Sequence, residues 1–104
     1  MAKYLVTRIS NKRDLVPGIN VEIGNGGDRF DAFYCGAVKS GEGKKKNIKH
    51  VFYAKVKRDC LEYTIPDADL VVKRGRVLDK TRRYVSTACD EVGRLYLERA
   101  GFIG

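Results

Sequence analysis

Between Ile48 and Arg58, apolar and polar side chains alternate almost residue by residue. Ile48, His50, Phe52, Ala54 and Val56 fall on one side, and Lys49, Val51, Tyr53, Lys55 and Lys57 on the other. A period of two is the signature of a β-strand with one buried face. One strand cannot be stable alone, so the rest of the chain must supply a sheet. Ile19, Val21 and Ile23 alternate in the same way, and Asn25-Gly26 follows them. Both turn residues tolerate positive φ, so a hairpin is expected there. The return strand spans Arg29 to Lys39, with Phe30, Ala32, Tyr34 and Val38 on one face. Lys3 to Ser10 reads as a further strand, as does the run through Leu61, Tyr63 and Ile65, which Pro66 ends.

Residues 67–74 carry two competing signals. Pro66, early Asp67 and Asp69, late Lys73 and Arg74, and a following Gly75 make a helix grammar. Leu70-Val-Val72 and Val77-Leu78 about Gly75 make two short strands instead, and extended structure is favoured. The last segment reads as helix: Tyr84, Val85, Ala88, Cys89, Val92, Leu95 and Tyr96 recur at three- and four-residue steps. Asp79 or Thr81 would cap its start and Gly101 would stop it. Gly93 inside that helix would mark a close approach to the sheet. The expected fold is α+β, a single domain over residues 1–104. It is a small antiparallel sheet or partial β-barrel of four to six strands with one C-terminal α-helix packed on it, the opposite face left for a partner.

Charge is the second strong signal. The chain has 21 Lys and Arg against 13 Asp and Glu, a net charge of +8. Residues 39–58 hold eight basic side chains and one acidic, and residues 73–83 six against one, while residues 59–72 hold four acids and no base. Lys49, Lys55 and Lys57 share a strand face with Tyr53, and Lys44, Lys45 and Lys46 extend the strip into a glycine-rich loop. Such a surface suits a phosphate backbone, with Tyr53 as a stacking face for an unpaired base. The second cluster includes Arg74 and Arg76, and its Lys80, Arg82 and Arg83 would lie in or just before the first turn of the helix. An anion there would meet free backbone N–H groups as well as guanidinium donors. Lysine-rich edges that resist aggregation, with tyrosine lying on lysine stems, are the plainer alternative.

Other chemistry is poorly supported. Gly24-Asn-Gly-Gly27 would need its last dinucleotide-site glycine at Arg29, and Gly41-Glu-Gly-Lys44 lacks the glycine and the Ser or Thr of a phosphate loop. The stretch Lys49 to Val56 fails the aromatic signature of the RNA-recognition motif: glycine is missing at His50, and Phe52 and Tyr53 face opposite ways. Cys35, Cys60, Cys89 and His50 have no zinc-site spacing, so the thiols are expected to pack as small apolar groups. His50 is expected to be a satisfied core histidine. No catalytic, metal or cofactor site is expected, nor a secretory signal or membrane span, and the cytoplasm is the expected compartment.

These observations lead to a small non-enzymatic nucleic-acid-binding domain. RNA or single-stranded DNA is slightly favoured, gripped by Lys44, Lys45, Lys46, Lys49, Lys55, Lys57 and Arg58, with Arg74, Arg76, Arg82 and Arg83 as a second zone. The alternative is a regulatory or inhibitory module whose basic face docks on an acidic protein.

Overall fold

A computed structural model describes residues 4–25, 28–41, 47–80 and 85–103. Among the described residues seven strands form one mixed sheet: β1 (Asn20–Asn25), β2 (Asp28–Ser40), β3 (Asn47–Val56), β4 (Asp59–Pro66), β5 (Leu70–Lys73), β6 (Arg76–Asp79) and β7 (Val85–Ala88). Their order is β5-β6-β1-β2-β3-β4-β7. All neighbours are antiparallel except β1 and β6, where Ile23 faces Val77 in parallel register. Among the described residues one α-helix, α1 (Glu91–Ala100), follows.

The connection from β4 to β5 shows why the sheet curls. These strands stand five places apart in the order. At about 4.8 Å per strand that is roughly 24 Å in a flat sheet. The four peptide steps from Pro66 to Leu70 reach about 15 Å at most, and a single 3-10 turn, Asp67–Asp69, occupies them. The sheet therefore rolls toward a barrel and stays open. Its concave side gathers Val21, Ile23, Ala32, Tyr34, Phe52, Ala54, Tyr63, Ile65, Leu70 and Val77 into one core, with Ile9 and Leu15 from the N-terminal segment. The inward face of β3 is the one its alternation indicates, and β5 and β6 meet about Arg74-Gly75 as the strand reading expects.

Several expectations change, beginning with the sheet itself, which has seven strands rather than four to six and one parallel pair among them. Residues 4–10 form no strand: Ile9 makes an isolated bridge to Gly75, and the Thr7 amide donates to the Asn20 carbonyl. Val38 does not share a face with Tyr34, because a bulge at Cys35 shifts the β2–β3 register between Tyr34 and Gly36. The extra residue turns Val38 outward, where it is 56% exposed, and seats Ala37 opposite buried His50. The helix is also shorter than expected. Asp90, not Asp79 or Thr81, is its N-cap, and its carboxylate accepts from the Gly93 amide at 3.1 Å. Val85 to Ala88 pair with β4 instead, so Val85, Ala88 and Cys89 lie outside the helix.

Helix α1 lies on the convex side, over the outward residues of β2 and β3. Tyr96 stacks on Phe33 and on Tyr53, with centroids 5.4 and 5.5 Å away. Gly93 marks the close approach: a Cβ there would stand 2.7 Å from the Cys89 Cβ and 2.9 Å from the Tyr53 ring. Gly101, with φ of 91°, ends the helix, and Phe102 then packs on Tyr4, whose hydroxyl donates to Asp31. Both sides of the central strands are thus occupied: the concave side by the core, the convex side by α1. The free sheet face expected from the sequence does not exist there.

Candidate anion-binding groove

Of the twelve expected contact residues, Tyr53 changes most. It lies outward on β3, as its odd position requires, but α1 covers it to 8% exposure. Burial, then the nearby Glu62 carboxylate, pushes its phenol up to about 12. With Tyr96 on its ring, Tyr53 has no open face for a base to stack on. This corrects its assignment as a stacking residue; the alternation placed its direction but not what would cover it.

The cations separate into three places. Lys55 and Arg58 line a groove of about 450 Å³ together with Asp59, Cys60, Leu61, Ala88, Cys89, Arg94 and Ile103. Lys55 is held by its β3 position opposite Cys60, and Arg58 by the tight turn between Val56 and Asp59. Lys57 shares that turn with φ of 57°, a left-handed conformation that non-glycine side chains adopt at a cost. Arg94 comes from the first turns of α1. Among the described residues no carboxylate forms an ion pair with Lys55, Arg58 or Arg94. Arg94 has no place in the sequence-based contact set, which drew its cations from residues 44–58 and 74–83. Asp90, four residues before it, caps the helix. An Asp directly before a helical run, with its acceptor oxygens aimed back at the first turn, was the available signal.

Arg74 and Arg76 belong to a second place, a hollow of about 200 Å³ with Lys73 and Leu78 at the β5–β6 turn. The sheet order puts β1 and β2 between it and β3, so the two basic clusters do not merge along the sheet. Arg74 and Gly75 both have positive φ, which suits a two-residue hairpin. Arg8 donates to the Arg74 carbonyl, and Arg76 pairs with Glu22 at 3.2 Å, which offsets its charge. Lys49 marks a third place, beside Asn47, Ile48, Pro66, Asp67 and Ala68 in a hollow of about 310 Å³. Lys44, Lys45, Lys46, Arg82 and Arg83 lie outside the described residues. The proposed anion site at a helix start near Lys80 falls with the shortened helix, since α1 begins at Glu91.

A hydrogen-bonded relay lies at the Lys49 end, on the concave side. His50 Nε2 is 2.7 Å from Asp67 Oδ1, and Nδ1 is 2.8 Å from the Tyr34 hydroxyl. A carboxylate can only accept, so Nε2 donates to Asp67, and the Tyr34 hydroxyl is the partner of Nδ1. Lys12 adds an ion pair to Asp67 at 3.0 Å and a 2.6 Å bond to its backbone carbonyl. The hydrogen bond from His50, then that from Lys12, holds the Asp67 carboxyl below its usual range. Burial raises the Tyr34 phenol. His50 is 7% exposed and both ring nitrogens are engaged. The relay ties β2, β3 and the segment that turns into β5 together.

No family model matches the sequence, and no curated protein or solved structure is significantly similar to it. What the fold and the surface define is an α+β domain with an open, curled seven-stranded sheet and one helix on its convex side. No helix among the described residues is long and apolar enough to cross a membrane, and no group of three or more metal-ligating side chains occurs among them.

Proposed function

We propose that this protein is a small, non-enzymatic nucleic-acid-binding domain that holds a phosphate backbone in the groove between the β3–β4 turn and α1. The observation that carries this reading is the meeting of Lys55, Arg58 and Arg94 around a groove with Asp59 as its one lining carboxylate. Three cations held by a strand, a turn and a helix stay close without neutralising one another, and an anion between them removes their repulsion. With Tyr53 covered, the preference for RNA or single-stranded DNA loses its stacking support, and the reading is for a phosphate backbone held by charge. The three free cysteines suit a reducing compartment, and the cytoplasm is the proposed location.

A second reading rests on a different patch. Val92 and Leu95 are each 54% exposed on α1 and border a hollow of about 140 Å³ with Tyr96 and Arg99. Apolar side chains beside a cation there favour a protein partner.

Titrating labelled single-stranded RNA against salt tests the first reading. Neutralising three phosphates gives a log–log slope of roughly −2, and the Lys55→Gln/Arg58→Gln/Arg94→Gln variant should lose most of it. Binding that ignores salt, or that survives the triple substitution with its slope intact, overturns the groove as the contact surface.

A further inference from the structure

Cys60 and Cys89 share the groove with these cations and have no part in gripping a backbone. The β4–β7 ladder sets Leu61 opposite Ala88, and one further step in that register sets Cys60 opposite Cys89. The Cys89 amide donates to the Cys60 carbonyl at 3.1 Å, so the two chains still pair at that step. Directly opposed residues of an antiparallel pair send their side chains to the same face, with Cα atoms about 4.5–5.5 Å apart. That separation lies within the roughly 4.4–6.8 Å a disulfide spans. The two thiols are free and half-buried.

We propose that Cys60 and Cys89 form a dithiol site that reduces an anionic low-molecular-weight disulfide, of which glutathione disulfide is the type, and closes to a cross-strand disulfide. One cysteine, as thiolate, attacks a sulfur of the small disulfide. A mixed disulfide forms and one small thiolate leaves, taking up a proton. The second cysteine then attacks the protein sulfur of that mixed disulfide and expels the second small thiol. Two protein S–H bonds and one small S–S bond are exchanged for one protein S–S bond and two small thiols, and two electrons pass from the protein to the reagent. Lys55, Arg58 and Arg94 offer the carboxylates of such a reagent a counter-charge beside the sulfurs. Burial, followed by Cys60, raises the Cys89 thiol, so the reaction quickens as pH rises. Cys35 is set apart: its neighbouring charges are Glu62 and the Tyr34 and Tyr53 phenols, not the other two thiols.

The test treats the full chain with glutathione disulfide and follows intact mass and peptide maps. The expected product has lost two hydrogens, contains a Cys60–Cys89 link and retains no glutathione on either residue. Cys60→Ser and Cys89→Ser should each instead accumulate a glutathione adduct on the remaining partner. A stable adduct at Cys60 or Cys89 in the unsubstituted chain, a link through Cys35, or no reaction overturns the proposal. Glutathione disulfide should also react about tenfold faster than the cationic disulfide cystamine at low salt, with the difference shrinking as salt is added. Equal rates overturn the role of the cations. The reaction shares cations with the nucleic-acid reading but is independent of it. RNA binding by the Cys60→Ser/Cys89→Ser variant reports on the groove without the thiols, so failure of one reading is visible apart from the other.

Discussion

Strand β3 carries a polar cluster toward each end, and the two are built in opposite ways. At His50, on the concave side, every charged or polar group has a partner: Tyr34, His50, Asp67 and Lys12 form an unbroken chain. At Lys55, on the convex side, three cations share a groove and no ion pair among the described residues joins them to a carboxylate. Buried polar groups stabilise a fold only when their hydrogen bonds are made, because an orphan inside costs more than the bond contributes. Exposed cations are solvated and can stand without partners at little cost. The difference separates a cluster that holds the chain together from one that is free to meet something else.

Breaking the first cluster should have the largest effect. His50→Ala removes a buried ring and leaves the Tyr34 hydroxyl without its hydrogen-bond partner, and Tyr34 is itself 3% exposed. The expected loss is about 2–4 kcal/mol of unfolding free energy, read from urea denaturation. A loss no greater than that of an ordinary surface substitution would place the relay outside the stability of the fold.

A smaller effect should appear in acid. The Asp67 carboxyl is held below its unfolded value, so the unfolded chain takes up the proton first as pH falls. Its contribution is complete above the ordinary aspartate range, near pH 3.9, and fades as pH drops through the lower folded value. Denaturant midpoints measured down to strongly acid pH should therefore decline more steeply for the unsubstituted chain than for Asp67→Asn. Because the carboxylate is partly exposed, solvent screening keeps this below the effect of removing His50.

The smallest change in stability belongs to the groove. Lys55→Gln/Arg58→Gln/Arg94→Gln should shift unfolding by about 0.5 kcal/mol or less, while RNA affinity at low salt falls at least tenfold. Destabilisation comparable to that of His50→Ala would mean that the groove, too, is a structural cluster and would erase the contrast.

The strands were largely legible in the sequence because alternation is a local property. Ile19 to Ile23, Ile48 to Arg58 and Leu61 to Ile65 each show which side chains turn inward, and β1 and β2 form the expected hairpin, although Asn25 ends β1 and pairs with Asp28 instead of serving as a turn residue. Val38 escaped because a single extra residue at Cys35 reverses the phase of everything after it. The helix start escaped for a related reason. Val85, Ala88 and Cys89 fall at helical spacing from Val92 and Tyr96, yet pairing with β4 outweighs a periodicity that strand and helix can share over so few residues. Two of the stripe residues, Val92 and Leu95, then face solvent, while Gly93 and Leu97 face the sheet.

The amino-acid sequence by itself determined the class of fold, the inward face of the central strand, the concentration of positive charge and the close approach at Gly93. These follow from side-chain periodicity, composition and the missing Cβ of glycine, all of which act locally. Only the tertiary structure decided that Tyr53 is covered, that Arg94 joins Lys55 and Arg58, that Asp67 completes the bonding of His50, and that Cys60 faces Cys89. Each of these joins residues from different elements. The curl of the sheet, the bulge at Cys35 and the seat of α1 bring them together, and none is encoded within a single stretch of chain.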